Sequence, residues 1–308
     1  MTEDITAKAA SPAARRPTFQ AAAWVKLLRP HQWAKNALVF VPLATAHQMT
    51  MAAAEQSALA FLAFSICASS VYVLNDVIDI EADRAHPTKC NRPFASGAIP
   101  VRQGMFLIPI LLAMSMAIAA TVNWRFLGVL VAYFLVTNAY TFLLKRKMII
   151  DVVVLAGLYT VRVLGGAAAI GVPLSEWLLA FSMFIFLGLA LVKRHSEMAV
   201  RFANGLPDPT NRDYRSTDLS LLISLASAAG FSAIIVLSLY LSSPTVRELY
   251  HHPKALWLVI PVMLHWISRV IMLSHRGVMH DDPVVFALTD RQSLASIALV
   301  GVIGFVAL

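Results

Sequence analysis

The sequence predicts an all-α, polytopic membrane protein with about nine transmembrane helices, and three observations carry that expectation. Of 308 residues, 58% are hydrophobic and only 14% are charged, and the mean hydropathy is +0.70, well outside the range of soluble domains. Apolar runs of the roughly 20 residues needed to cross about 30 Å of hydrocarbon recur along the chain, separated by short polar stretches. The charge is also lopsided. With a cytoplasmic N-terminus, only Arg125, Arg247 and Lys254 of the 25 Lys and Arg fall on the outer side. Arg162 and Arg269 fall within spans, and the rest lie in the tail and in the loops after spans two, four, six and eight. This positive-inside pattern orients a protein of a bacterial-type inner or plasma membrane. The net charge of +8 therefore describes topology and does not point to a nucleic-acid partner.

Residues 1–23 are polar and include Arg15 and Arg16. They read as a disordered cytoplasmic tail, without the apolar core of a cleavable signal peptide. A single transmembrane domain occupies residues 24–308, opening with an amphipathic, basic interfacial helix over 24–36. The spans are expected at 36–54, 57–80, 104–122, 124–143, 149–171, 175–193, 219–241, 254–274 and 290–308. The outer connections before residue 242 are short and nearly uncharged, whereas the inner ones are longer and hold the motif-like residues. Chemistry is therefore expected at the cytoplasmic face. Two cysteines, Cys67 and Cys90, are too few for a disulfide framework.

The second span runs directly into Asn75-Asp76-Val77-Ile78-Asp79-Ile80-Glu81-Ala82-Asp83. At 100° per residue, Asp76, Asp79 and Asp83 lie within about 60° of one another on one helical face, and Glu81 points away. Three carboxylates sharing a face at the end of an apolar helix repel each other and are costly to desolvate unless cations neutralise them. Hard oxygen ligands in this number suit Mg²⁺, which bridges carboxylates to substrate phosphates. The basic loop that follows supplies Arg84, Lys89 and Arg92, then Ser96-Gly97. Cations there can neutralise a departing diphosphate, although each reads equally well as a marker of topology.

Residues 123–151 repeat the arrangement more weakly, with Tyr140 and Lys145 closing the fourth span and Asp151 opening the fifth. Tyr140 and Lys145 are either phosphate-pocket residues or interfacial anchors. Within the fifth span stand Tyr159, Arg162, Gly165 and Gly166. An intramembrane arginine marks a polar cavity or a paired carboxylate, and the glycines suit close helix packing. The sixth span ends Lys193-Arg194-His195-Ser196-Glu197, where Lys193, Arg194 and Glu197 share a broad face suited to phosphate plus a helping carboxylate. Residues 207–215 form a connection of lid-like length. The last inner loop holds His275, His280-Asp281-Asp282 and Asp290-Arg291; its histidines lack the spacing of metal ligands.

These residues together resemble the UbiA superfamily of intramembrane prenyltransferases. Asn75-Asp76-x-x-Asp79-x-x-x-Asp83 is similar to the family's first Asp-rich motif, Arg92-Pro93-x-x-x-Gly97 to the stretch after it, and the run from Tyr140 to Lys145 to the element after the fourth helix. The resemblance implies helices around a lipid-accessible central cavity, Mg²⁺ on the Asp motifs, and cleavage of a diphosphate to a cation-like centre. One departure stands out: where the family carries a second Asp-rich motif, this sequence reads Lys193-Arg194-His195-Ser196-Glu197. That substitution, and the run from Asn75 to Lys89, is similar to the decaprenyl-phosphate phosphoribosyltransferase branch, although Cys90-Asn91 departs from its more basic pattern.

The expected function is therefore Mg²⁺-dependent transfer of a phosphoribosyl group from phosphoribosyl diphosphate to a lipid-linked acceptor, a polyprenyl phosphate. Asp76, Asp79 and Asp83 would hold the metal. Arg92, Lys89, Lys193 and Arg194 would bind phosphate, with Asn75, Tyr140, Lys145, Arg162 and Glu197 completing the site. Two anionic substrates call for more cations and fewer carboxylates, which is the direction of the Lys193-Arg194 change. One alternative keeps the fold and transfers a prenyl group from its diphosphate to an aromatic or other small acceptor. Another is a cation-coupled transporter, which the gathering of polar residues at one face, without inverted repeats, disfavours.

Overall fold

The computed structural model describes residues 21–45, 49–85, 89–173, 175–209, 212–279 and 282–308. Of the tail expected over residues 1–23, residues 1–20 lie outside the described residues, as do the stretch 46–48 of the first expected span, His86-Pro87-Thr88 and His280-Asp281; residues 21–23 are not tail but the first turn of a helix. Among the described residues every regular element is helical. The order is α1 (Ala21–Leu28), a 3-10 helix (Pro30–Phe40), α2 (Val41–Thr45), α3 (Met51–Ile78), α4 (Ile80–Arg84), α5 (Val101–Val122), α6 (Trp124–Phe142) and α7 (Ile150–Ile170). Then come α8 (Glu176–Ala203), α9 (Leu219–Leu241), α10 (Pro244–Leu249), α11 (Val259–His275), α12 (Pro283–Thr289) and α13 (Arg291–Ala307).

Among the described residues seven helices are long and apolar enough to cross a membrane, or eight if α12 and α13 count as one span bent by 75°. The difference from the expected count of about nine lies, among the described residues, at the two ends of the chain. The interfacial helix expected over 24–36 stops at Leu28, because Arg29 adopts left-handed backbone (φ 52°, ψ 56°) and Pro30 opens an 11-residue 3-10 helix. That helix runs into the short α2, so the described part of the expected 36–54 span is not one continuous α-helix. At the other end, Asp290 caps α13 by accepting from the Ser293 backbone N–H at 2.9 Å. A fresh helix start at that point lets the chain turn sharply.

Burial separates an inner from an outer set of helices. In α3 and α7, 67% and 56% of the apolar window is covered by protein, against 17% in each of α5 and α6. The 3-10 helix packs on α3 and α7, and two glycines of α7 make room for their neighbours. A Cβ on Gly166 would lie 2.0 Å from the Val39 carbonyl oxygen, and one on Gly165 would lie 2.5 Å from the Phe64 ring. The small residues thus serve close packing, and they seat the backbone that carries Lys35 and Asn36.

Candidate active site

The polar residues collect at one end of the bundle, where α3 and α8 finish, α7 begins, and the 3-10 helix and the connection into α12 pass. The helix carrying Asp76 does not run straight through to Asp83. α3 ends at Ile78, Asp79 turns with φ −91° and ψ 9°, and α4 follows. Asp76 and Asp83 are buried and share one cation: Arg92 Nη1 donates to Asp76 Oδ1 at 3.2 Å and to Asp83 Oδ2 at 2.6 Å. Arg29 Nη2 donates to the same Asp76 oxygen at 2.6 Å. Two carboxylates are therefore gathered around a single positive nitrogen, the kind of environment a divalent ion would take over. No group of three or more His, Cys, Asp or Glu residues close enough to hold an ion occurs among the described residues; Asp79 stands at the turn between the two carboxylates.

Beside this pair lies a cavity of about 220 Å³. Its wall includes Lys35, Arg162, Lys193, Arg194 and Arg212, together with Asn75, Tyr72, Tyr133, Tyr140 and Tyr159, and none of its described lining residues is acidic. Arg162 crosses from α7, donating to Asn36 Oδ1 at 2.8 Å, to the Leu158 carbonyl and to Tyr133 Oη at 3.1 Å. Its guanidinium stacks between the Tyr133 and Tyr159 rings, at 5.0 and 5.4 Å. Asn75 Oδ1 and Arg194 Nε are buried without a hydrogen-bond partner among the described residues, which leaves an acceptor and a donor at the cavity unspent.

Two carboxylates behind the wall organise these cations. Asp151, fully buried at the start of α7, pairs with Arg194 at 2.8 Å and Arg212 at 3.2 Å and accepts from the Tyr214 hydroxyl. Burial first, then the bond to Asp151, raises the Tyr214 phenol well above its ordinary range. The Tyr214 hydroxyl accepts from the Ile149 N–H at 3.0 Å, and Ile149 is held at φ 64°, a strained conformation for a β-branched residue. The connection carrying Arg212 is thereby pinned to the site. Asp282 is the second hub: Oδ2 takes Lys35 Nζ at 2.9 Å and Lys193 Nζ at 2.8 Å, and the Tyr159 hydroxyl donates to Oδ1 at 3.0 Å. Burial pushes the Lys35 ammonium down to about 8, against the opposing pull of Asp282. Burial alone would raise the Asp282 carboxyl, but the Lys193 and Lys35 charges outweigh it and hold the group far below the usual range.

Of the residues expected from sequence, Asn75, Tyr140, Arg162, Lys193 and Arg194 line this cavity. Asp76, Asp83 and Arg92 form the adjacent cluster. Glu197, 43% exposed in its side chain, pairs with Arg194. Lys89 and Lys145 sit in short 3-10 turns and do not line the cavity. Sequence reasoning did not single out Arg29, Lys35, Tyr72, Tyr133 or Arg212 for the site, nor the hubs Asp151 and Asp282. An acid opening an apolar span was the one available signal for Asp151.

A second, larger cavity of about 630 Å³ lies against the same wall. It is lined by apolar side chains of the 3-10 helix, α7, α8, α9, α11, α12 and α13, among them Leu38, Phe181, Phe186, Leu189, Met263 and Trp266.

The sequence model of the UbiA prenyltransferase family matches residues 37–275. The chain belongs to the UbiA prenyltransferase family. It is 38% identical over 272 residues to the uncharacterized protein y4nM of Sinorhizobium fredii, covering 88% of this chain but only 53% of y4nM. It is 34% identical to the nodulation protein NoeC of Azorhizobium caulinodans, over 87% of this chain and 88% of NoeC. Decaprenyl-phosphate phosphoribosyltransferase of Mycolicibacterium smegmatis is also 34% identical, over 71% of each chain. The UbiA fold is shared with a UbiA homologue of Archaeoglobus fulgidus solved with DMAPP and Mg²⁺, at a TM-score of 0.69 and 17% identity, covering 92% of this chain and 98% of the homologue. The chain is thus a multi-pass membrane transferase of the UbiA family.

Proposed function

We propose that this UbiA-family transferase moves a phosphoribosyl group from phosphoribosyl diphosphate to a polyprenyl phosphate, as a single domain over residues 24–308 with its site at the cytoplasmic face. The observation that carries this reading is the cavity wall of five cations, Lys35, Arg162, Lys193, Arg194 and Arg212, without an acid among its described residues. A donor with a 5′-phosphate and a diphosphate, meeting an acceptor that is itself a phosphate, needs that much positive charge. The similarity to decaprenyl-phosphate phosphoribosyltransferases at 34% identity supports the same choice of substrates.

Asp76 and Asp83, already gathered on one nitrogen of Arg92, are the residues that would hold Mg²⁺, with Asp79 at the turn between them. The metal would supply charge neutralisation for the departing diphosphate. Arg162, Arg194 and Arg212 bind donor phosphate oxygens, and Asn75 accepts a hydroxyl of the sugar. The bond from the anomeric carbon to the diphosphate oxygen breaks, its electron pair leaving with diphosphate, and a phosphate oxygen of the acceptor forms the new bond. An anionic acceptor needs no strong general base. The apolar cavity houses the isoprenoid chain, at about 0.8 kcal/mol per buried CH₂.

The test is purified protein in detergent with Mg²⁺, given labelled phosphoribosyl diphosphate plus polyprenyl phosphate in one arm and labelled prenyl diphosphate plus aromatic acceptors in the other. Labelled lipid in the first arm is the expected result. Label transferred only in the second arm overturns the donor assignment.

A further inference from the structure

The two cavities are lined in part by the same elements. Three elements line both cavities: the 3-10 helix with Lys35 on the basic side and Ala34 on the apolar one, α7 with Arg162 and Val163, and α8 with Lys193 and Leu189. The Tyr159 ring, on the basic side, stacks on the Phe186 ring, on the apolar side, with centroids 5.3 Å apart. Asp282 stands in this wall, two residues before Val284 of the apolar lining. A single atom, Asp282 Oδ2, holds both the Lys35 and the Lys193 ammoniums, at 2.9 and 2.8 Å. Each ammonium has three donors. The carboxylate takes one from each and leaves the others for a second anion.

A small free anion has no use for the apolar space next door, and an uncharged lipid has no use for two desolvated ammoniums. An apolar chain that ends in a phosphate uses both. We propose that Asp282 is a positioning residue that assembles Lys35 and Lys193 into the subsite for a lipid acceptor's phosphate, the acceptor's chain lying in the apolar cavity beyond the Tyr159–Phe186 partition. The assignment rests on the acceptor half of the proposed function and is independent of the donor.

The electrostatics around Lys35 give the subsite a signature. Facing it are Asp282 from the connection into α12, Lys193 from α8, Arg162 and Tyr159 from α7 and, across the cavity, Tyr72 from α3. Asp282 is the only anion in that set. Removing its charge leaves Lys35 among cations, so Lys35 gives up its proton at a lower pH and stops attracting phosphate.

The experiment measures binding of a short-chain polyprenyl phosphate to the full-length protein in detergent without donor, with the matching polyprenol and inorganic phosphate as separate probes. The wild type is expected to prefer the lipid phosphate over both and to lose affinity as pH rises through about 8. Asp282→Asn keeps the shape and is expected to weaken lipid-phosphate binding at least about tenfold near neutral pH, leaving phosphoribosyl diphosphate binding within roughly twofold. Its loss of affinity with pH should begin lower than in the wild type. Wild-type affinity or an unmoved pH profile in the variant overturns the proposal, as does equal binding of inorganic phosphate by the wild type. Should Asp282→Asn fail to purify, Lys35→Gln and Lys193→Gln are expected to lose the preference for phosphate over polyprenol, and retention of it in both overturns the proposal. A wild type that binds lipid phosphate through this subsite yet transfers nothing from phosphoribosyl diphosphate refutes the donor assignment and leaves the subsite standing.

Discussion

The end of α3 and the end of α8 hold their charges in opposite proportions. At the first, Asp76 and Asp83 meet Arg29 and Arg92, two acids against two bases. At the second, each buried carboxylate is outnumbered: Asp282 holds Lys35 and Lys193, and Asp151 holds Arg194 and Arg212. A balanced cluster can exchange a guanidinium for a metal ion without leaving a charge stranded. A cluster with surplus cations stays unsatisfied until an anion arrives. The difference assigns metal handling to one edge of the site and phosphate recognition to the other, in a single cavity system.

That division can be broken most sharply at the balanced edge. Asp76→Ala and Asp83→Ala should each lower turnover by more than the roughly 100-fold typical of losing a metal's outer partners, measured as lipid product per enzyme at saturating Mg²⁺, while the protein elutes as a monodisperse peak. Retained turnover in both removes the metal role. At the other edge the first effect is on stability. Arg194→Met strands half the pairing of the fully buried Asp151 and should cost about 3–5 kcal/mol, read as a lower thermal midpoint in detergent, and the double variant Arg194→Met, Asp151→Leu should recover most of it.

Gly166→Ala probes how the cations are held rather than the cations themselves. With a Cβ 2.0 Å from the Val39 carbonyl, the 3-10 helix must shift, at a cost of about 1–3 kcal/mol, and acceptor KM should rise more than donor KM because Lys35 moves with that helix. The smallest effect is expected at Glu197, whose side chain is 43% exposed against Arg194. Glu197→Gln should change stability by less than about 1 kcal/mol and leave the Mg²⁺ dependence of turnover where it was. A large shift in that dependence would mean that a second metal position survives at the α8 edge.

Local pattern made the membrane class, the helical spans of α3 and α5 to α9, and the Asp76, Asp83, Arg92 and Lys193-Arg194 positions readable from sequence. Hydrophobic runs and short motifs carry that information within a few residues of one another. The breaks were harder. Nothing in the apolar run after residue 36 announces that it is wound partly as a 3-10 helix, and the turn at Asp79 interrupts the single helix on which the three carboxylates were expected to share a face. The hubs were out of reach for a different reason. Asp282 and Lys35 are 247 positions apart, and Arg29 and Asp76 are 47 apart, so their pairing exists only once the helices have packed. An Asp before a proline reads as a helix cap, which Asp282 also is through the Val284 N–H at 3.1 Å.

The length of the Lys35 to Asp282 link bears on how the molecule comes into being. During synthesis the N-terminal helices emerge first, and both ammoniums are in place before the ribosome reaches codon 282. Until then Lys35 and Lys193 have no counter-charge in the wall they occupy, and burying them unpaired is costly. The pairing in that wall therefore waits on Asp282, whose carboxylate reaches across the bundle to Lys35. A chain halted short of that point carries the two ammoniums without the carboxylate that pairs them.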